Sequence, residues 1–483
     1  MPTIQVSTEE MTKQLHFTRE IRNWNEAYTA TTGRVRTACV RTFGCQMNEH
    51  DSEKLSGMLT QMGFLMVPEY SVNEEPKIAD LILFNTCCVR ENAEEKVYGH
   101  LGALKGAKRI KPTMITGVCG CMTEQPHAVE EIRRVYKNVD LVFGTRAAHK
   151  LPEYLHQVIF DNKRVLEVSK TEGEVAEGVP VERADDLKAW VTIMYGCNNF
   201  CSYCIVPYVR GRERSRKATD ILAEVRGLVE NGIQEITLLG QNVNSYGKDL
   251  EDNDGITDFA DLLDLLCRET EIPRIRFMTS HPKDLSDRLI AAIARNKSVC
   301  NQLHLPVQSG SSRVLKEMNR KYTREEYLDL VARIRKAVPE ITLSTDIIVG
   351  FPGETEADFE QTLSLVEQVR YDSAYTFIYS KRVGTPAATR EDQVPEDVVK
   401  ARFDRLLALQ NSIGREINDG LVGRTLEVLC EGPSRTNEDR MTGRTEGNKI
   451  VNFIGGDGNL RGKMVRVHID HAQTWSLEGT AEL

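Results

Sequence analysis

The sequence predicts an α/β protein in three parts: an N-terminal open parallel α/β sheet, a central (β/α)6 partial barrel of the TIM type, and a small C-terminal all-β barrel. Three observations predict it. Short apolar strands alternate with amphipathic helical segments between residues 34 and 153; a second, longer alternation follows a polar stretch rich in Glu and Gly; and from about Leu421 the pattern changes to short strands separated by Gly and Asn turns. A chain of 483 residues has material for about three domains.

In the first part, strands are expected at 35–42, 81–85, 114–118 and 141–143, with helical patterns such as 52–62 and 93–105 between them. Strand and helix in alternation mean a parallel sheet with crossover helices. The stretch 170–186 reads as a linker. Beyond it, strands are expected at 190–195, 235–239, 274–278, 302–306, 342–349 and 374–379, each followed by a helical segment. Six such units suit an open barrel whose chemistry sits at the strand C-termini. The last part has strands at 425–431, 449–453 and 464–469 and reads as a closed barrel. The expected domains are therefore 1–33 (an extension), 34–153, a linker at 154–186, 187–412 and 413–483.

Composition excludes several classes. No apolar run reaches the ~18 residues of a membrane helix, and residues 1–33 lack the basic-then-apolar layout of a secretory signal. Twelve cysteines without an export signal point to a reducing, cytoplasmic setting with metal-binding or catalytic thiols rather than to a disulfide scaffold. The net charge of −9 gives no general attraction to nucleic acid, so such a partner must be held by local basic patches.

The stretch GCNNFCSYCIVPYVRGRERSRK, residues 196–217, carries Cys197, Cys201 and Cys204 at C-x3-C-x2-C spacing where the first barrel strand ends. Thiolates take soft metals, and three of them leave one coordination position open for substrate. A structural zinc with a fourth ligand from elsewhere is the alternative, without a paired C-x2-C or H-x3-H to support it. In the first part, TFGCQMNEHD (42–51), FNTCCVRENA (84–93) and GVCGCMTEQ (117–125) put cysteines at the ends of three strands, the edge where open α/β sheets build sites. Buried cysteines acting as small hydrophobes explain one or two of these but not three. Cys39, Cys267, Cys300 and Cys430 lie in apolar or helical contexts and read as structural.

Polar residues end several barrel strands: Gln241 and Asn242, Gln308 and Ser309, and Asp346 opening DIIVGFPGE. They suit a cofactor's ribose or carboxylate, or ordinary turn chemistry. His281 and His304 read as hydrogen-bonded structural residues, and no conventional acid or base is assigned. For RNA, the candidates are Arg210 and Arg212 in the run 210–217, and Arg444 and Lys449 among the basic residues of the last barrel. Phe453 either stacks on a base or fills the barrel.

The C-x3-C-x2-C signature, with Tyr203 before its last cysteine, resembles that of the radical S-adenosylmethionine (SAM) enzymes. With GCQMN, NTCxVRE, LLGQNVNSYG (238–247) and a C-terminal barrel similar to the RNA-binding TRAM module, almost the whole chain resembles the radical SAM methylthiotransferase family, in its tRNA-modifying MiaB-type branch. That resemblance implies two [4Fe-4S] clusters, one on Cys197, Cys201 and Cys204 that also chelates SAM, and an auxiliary one on Cys45, Cys87 and Cys121. Motif alignment favours Cys87 over its neighbour Cys88 and Cys121 over Cys119. With SAM as that cofactor, the expected contacts are Tyr203, Gln241, Asn242, Gln308, Ser309 and Asp346. The implied reaction adds a methylthio group to C2 of N6-dimethylallyladenosine beside the anticodon, with SAM as both methyl donor and source of the 5′-deoxyadenosyl radical. The implied partners are a tRNA substrate and a reducing electron-donor protein, with no membrane and a monomeric enzyme. Sister enzymes acting on threonylcarbamoyl-adenosine or on a ribosomal-protein aspartate, and a non-catalytic zinc-bearing RNA-binding protein, are the alternatives.

Overall fold

The computed structural model describes residues 5–71, 78–88, 91–167, 174–251, 253–435, 437–455 and 459–482; Val89 and Arg90 of the 84–93 motif and the start of the 170–186 stretch lie outside them. The first part is a six-stranded, fully parallel sheet in the order Leu65–Met66, Thr37–Phe43, Leu81–Thr86, Ile115–Gly120, Leu141–Gly144, Val165–Glu167. The strands Leu81–Thr86 and Ile115–Gly120 are buried along their whole length, the signature of a parallel sheet covered on both faces. On one face, Leu83, Leu141 and Phe143 pack against helices Thr8–Thr32, Gln46–Gln61 and Leu151–Phe160 through Ile21, Leu59 and Leu155. On the other, Ile82, Phe84 and Val142 meet Val97, Leu101 and Ile132.

Two boundaries differ from expectation. Residues 5–33 contain a helix capped by Ser7, whose buried Asn25 donates to the Met62 carbonyl at the end of helix Gln46–Gln61 at 2.8 Å, so this segment packs on the first part rather than extending from it. The limit at 153 falls inside helix Leu151–Phe160, which leads to the sixth strand. The two added strands are two and three residues long, too short for apolar periodicity to reveal.

The second part is six parallel strands in two triples: Lys188–Thr192, Glu235–Leu239 and Arg274–Phe277, then Gln302–His304, Thr342–Val349 and Ser373–Ile378. A single bridge between Ile275 and Val299 joins them. Val191, Ile236, Ile275, Leu303, Ile347 and Ala374 face the surrounding helices in one core, so strand alternation turns Thr192, Thr237, Arg276, His304, Asp346 and Tyr375 toward the lumen. The expected strand 190–195 breaks after Thr192, and Met194–Tyr195 pairs instead, antiparallel, with Arg214–Ser215. The cysteine-bearing stretch 196–213 is thus a loop closed at its base.

Helix Glu396–Asp419 leads out of this part, so the boundary expected after 412 lies within it. The last part is a closed barrel of five strands in the order Thr425–Pro433, Met441–Thr445, Ile450–Ile454, Ser476–Ala481, Met464–Ala472. Two of these, MTGRT and SLEGTA, have too few apolar residues to stand out as strands. Phe453 fills the barrel core with Val428, Val467 and Leu477. The barrel is docked against the second part: Arg274 donates to the Arg444 carbonyl at 2.8 Å, and Arg276, paired with Glu235 at 2.9 Å, donates to the carbonyls of Thr445 at 2.8 Å and Glu446 at 2.6 Å. Thr342 Oγ1 adds a bond to the Gly447 carbonyl at 2.9 Å. Arg274, Glu235 and Thr342 are the first residues of their strands, so the hairpin 441–454 stoppers the lower mouth of the central barrel.

Candidate active site

In the first sheet the strand order reverses between Thr37–Phe43 and Leu81–Thr86, the topological switch point where open α/β sheets bind ligands beyond the strand C-termini. Cys45 follows the first of these strands, Cys87 the second, and Cys121 the next strand along. The Cys87 thiol hydrogen-bonds both Cys45 and Cys121, so the three sulfurs lie together. Those bonds, with the Arg210 guanidinium, hold Cys45 down at about 6 and Cys121 well below the usual thiol value, against the opposing effect of burial. Its bonds to Cys121 and Cys45, with burial, raise Cys87.

The motif residues around them act as a frame. Asn48 donates to Asn85 Oδ1 at 3.1 Å, Asn85 returns a bond to the Asn48 carbonyl at 2.8 Å and another to Ser52 Oγ at 2.9 Å, and all three side chains are buried. The asparagines of GCQMN and FNTCC thus lace two cysteine loops together. Gly120, at φ +101°, turns the chain where a Cβ would meet Asn85 and the Thr86 backbone, and this turn separates the two thiols flanking it. Cys119 stays in the sheet core beside Phe143, while Cys121 reaches the sulfur group. Cys88 does reach it: its thiol hydrogen-bonds Cys121.

The second set is held by one loop. Gly196, at φ +75°, passes where a Cβ would run into the Arg212 carbonyl, and the Cys197 amide donates to the Gly211 carbonyl at 3.1 Å. Burial pushes Cys197 and Cys204 up to about 12. Arg320, buried, donates to Cys201 Sγ at 3.5 Å and to the Pro306 carbonyl at 2.7 Å. The LLGQNVNSYG motif braces the loop's base: Tyr246 OH donates to the Arg216 carbonyl at 2.8 Å, and the Gly247 amide to Ser215 Oγ at 3.1 Å.

Ile205, the residue after Cys204, packs with Val209 against Cys88 and Cys121 in a single buried cluster. The two cysteine sets, 76 residues apart at their nearest sequence approach (197 − 121), thereby face one another across the domain junction. Among the described residues, no three His, Cys, Asp or Glu side chains converge on a point that would hold a metal ion. A cubane asks for something else, one thiolate at each of several irons, and both donor sets consist of soft sulfur ligands suited to it.

The polar candidates at the strand ends divide. Gln241 Oε1 accepts from the Gly196 amide, and its buried Nε2 has no hydrogen-bond partner, a donor available to a bound molecule beside the second set. Gln308 holds a left-handed conformation, φ +74°, pinned between Asp346 and Ile348 by backbone bonds of 2.8 and 2.9 Å; strain of this kind in a buried non-glycine residue is typical of sites. Asp346 faces the lumen 3.5 Å from His304 Nε2. Tyr203 packs beside Met318 and Phe351. Asn242 is committed to Asp284 at 2.8 Å and to the His281 amide, and Ser309 to the Ser311 amide and Thr362, the turn chemistry that was the alternative for both.

Three of the four expected RNA contacts are placed otherwise. Arg210 is 5% exposed, with Nη2 2.8 Å from Asp51 and Nε 3.2 Å from Cys121 Sγ. Lys449 ties the last barrel to Asp372 and Asn418 at 2.9 Å each. Arg444 is held by Asn448 and by Glu431 at 3.4 Å. Arg212 alone of the four is exposed, stacked 4.4 Å from the Phe200 ring centroid. Sequence reasoning missed Tyr375 and Phe377, which are 53% and 50% exposed on the edge strand Ser373–Ile378, register-paired with Asp346 and Ile348 on the lumen side. Their exposure was the signal, and exposure is invisible in a run of apolar strand residues.

Residues 191–366 match the Radical SAM superfamily, residues 37–144 the Uncharacterized protein family UPF0004, and residues 420–481 the TRAM domain. The chain is 57% identical over 477 residues to the tRNA-2-methylthio-N(6)-dimethylallyladenosine synthase of Acetivibrio thermocellus, covering 99% of this chain and 97% of that one. To the protein of the same name from Clostridioides difficile it is 53% identical over 476 residues, covering 99% and 98%. Among solved structures, the radical S-adenosylmethionine methyltransferase TsrM from Kitasatospora setae superposes with a TM-score of 0.53 at 14% identity over 81% of this chain and 80% of that one, a likeness of fold.

Proposed function

The chain belongs to the family of tRNA-2-methylthio-N(6)-dimethylallyladenosine synthases, and from that premise we propose that it adds a methylthio group to C2 of dimethylallyl-adenosine in tRNA. The observation that carries the reading is the junction of the two cysteine sets through Ile205, Cys88 and Cys121. One set alone would suit cleavage of SAM; a second beside it suits delivery of sulfur to the same substrate carbon.

On this reading Cys197, Cys201 and Cys204 hold the cluster that binds SAM, and Cys45, Cys87 and Cys121 hold an auxiliary cluster. When bound, these groups supply the electron that opens SAM and the sulfur that is transferred, chemistry suited to C2–H, which is not acidic enough for a side-chain base. The protein's own residues bind and orient. Gln241 Nε2 offers SAM a hydrogen bond, Gln308 and Asp346 present polar groups at the lumen, and the adenine with its apolar dimethylallyl group lies on Tyr375 and Phe377. The stoppered lower mouth keeps bulk water from entering the lumen behind the substrate. Arg212 and the exposed Arg435 and Lys463 of the last barrel remain for phosphate contact. The enzyme works as a cytoplasmic monomer and takes electrons from a donor protein; no described helix is long and apolar enough to cross a membrane.

The test is mass spectrometry of tRNA nucleosides from a strain lacking the gene, with and without the gene restored. Loss of the 2-methylthio form with accumulation of N6-dimethylallyladenosine, reversed on complementation, is expected. Loss of a thiomethylated threonylcarbamoyl-adenosine instead would move the enzyme to a sister substrate. Iron at about eight per purified chain, as two four-iron clusters require, tests the auxiliary set.

A further inference from the structure

Arg210 lies in the second part of the chain, yet its side chain is buried in the first. A guanidinium this far from water needs charged partners, because an unpaired buried cation is strongly destabilising. Asp51 Oδ2 at 2.8 Å takes one edge of the fork, and Cys121 Sγ, 3.2 Å from Nε, takes another. The backbone that delivers it is fixed: the Tyr208 carbonyl accepts from Arg146 at 3.0 Å, the Val209 carbonyl from Thr145 at 3.4 Å, and the Arg210 carbonyl from Arg214 at 3.2 Å. Two residues on, Arg212 is exposed, so the chain turns one arginine inward and the other out.

We propose that Arg210 is a positioning residue for the auxiliary cysteine set: reaching across the domain junction and anchored by Asp51, it donates a charged hydrogen bond to the Cys121 sulfur and raises the reduction potential of the cluster held there. The inference rests on the auxiliary-cluster reading above. A hydrogen bond to a ligating thiolate withdraws electron density from it and favours the reduced state, one of the main controls of cluster potential. Arginine fits where lysine does not, since the planar fork serves a carboxylate and a sulfur in two fixed directions while an ammonium is a compact point charge. The same loop carries Cys197, Cys201 and Cys204, so closing it around the second set also seats the donor on the first.

The experiment uses the full chain with Cys197, Cys201 and Cys204 replaced by Ala, leaving only the first-domain set, and follows the remaining cluster by redox titration with electron paramagnetic resonance. Iron should stand at about four per chain. Adding Arg210→Gln should raise the oxidised-to-reduced ratio at a fixed potential about tenfold, a midpoint about 59 mV lower for one electron. Arg210→Lys should fall between. Full iron with a ratio unchanged within about twofold in Arg210→Gln overturns the proposal. If Arg210→Gln strips the iron, Arg210→Lys, which keeps the charge, decides: a lowered midpoint supports the role and an unchanged one overturns it. A parent chain that holds no iron removes the auxiliary cluster and this role with it, whereas iron present without a shift removes this role alone.

Discussion

The two cysteine sets are held in opposite ways. Cys45, Cys87 and Cys121 come from the ends of three strands, and their mutual position is set by the hydrogen-bonded ladder of the sheet and the Asn48–Asn85–Ser52 lacing above it. Cys197, Cys201 and Cys204 come from one loop, positioned by Gly196, by the ribbon Met194–Tyr195/Arg214–Ser215 and by Arg320. Each set has one buried arginine on a sulfur, but the loop-held set finds its own within the central barrel while the sheet-held set borrows Arg210 from its neighbour. The lesson is about where damage travels. A loop fails locally; a sheet-held site fails when any of three distant segments shifts, and it also depends on correct docking of the next domain.

The sharpest break of the comparison is chemical. Replacing Cys197, Cys201 or Cys204 with Ala should abolish SAM cleavage and leave about four irons per chain on the first domain, read by iron analysis and by 5′-deoxyadenosine formation. If one such change strips all the iron, the two sets do not act separately. Replacing Cys45, Cys87 or Cys121 should have the reverse effect, with cleavage retained and no thiomethylated tRNA. Here the spare thiols sharpen the test: Cys119→Ala should leave the cluster intact, because that thiol is in the sheet core, while Cys88→Ala, next to Cys121, should keep its iron but lose it faster to a chelator. Iron lost in Cys88→Ala and kept in Cys87→Ala would exchange their roles.

Smaller effects follow on the substrate side. Phe377→Ala or Tyr375→Ala should weaken binding of dimethylallylated anticodon stem-loop by about 1–3 kcal/mol, the worth of one stacked base, and leave cleavage of SAM without tRNA unchanged. A fall in cleavage would make these aromatics part of the SAM site instead. Removing residues after Gly420 should lower tRNA affinity and flatten its salt dependence, since phosphate contacts release counterions. Because Arg274 and Arg276 would lose the carbonyls they serve, the truncated chain should also unfold at lower temperature, which a freely tethered module would not cause.

The remaining effect is a pH dependence shared by the first and second parts. Burial lowers His149 in the first part to about 4 and His281 in the second to about 2, so both rings are neutral in the fold while the unfolded chain protonates near 6.5. The unfolded state binds more protons below that value, so their contribution to stability is complete above about pH 6.5 and is lost as the pH falls toward the folded values. Between pH 7 and 5 each should cost about 2 kcal/mol, and His149→Asn should flatten the acid limb of a thermal-melt series.

Most of this was legible in the sequence where geometry is local. The C-x3-C-x2-C spacing sits within one loop, so spacing is geometry, and the parallel strands announced themselves as apolar runs. The choice between Cys119 and Cys121 depended on the left-handed turn at Gly120, and the closeness of Cys88 to Cys121 on strand neighbours that no linear pattern contains. Three of the four RNA candidates are engaged within the protein for a related reason. Arg210, Arg444 and Lys449 carry the charge that phosphate wants, but charge does not say which way a side chain points: Arg210 and Lys449 are spent on holding one domain to another, and Arg444 on Asn448 and Glu431 within its own barrel. The five-stranded barrel was read as three strands because two of its members carry threonine, glycine and charge in place of apolar alternation.

The hairpin beneath the central barrel also sets an order of events on the ribosome. Arg274 and the carbonyl of Arg444 that it binds are 170 residues apart. At synthesis rates of about 5–20 residues per second, the strand bearing Arg274 emerges about ten to thirty seconds before its partner exists. During that interval two buried-to-be guanidiniums face solvent and the lumen is open from below. The last sixty residues of the chain therefore act as a latch on folding as well as an arm toward RNA, and a nascent chain stalled before them is an enzyme whose floor has not yet been laid.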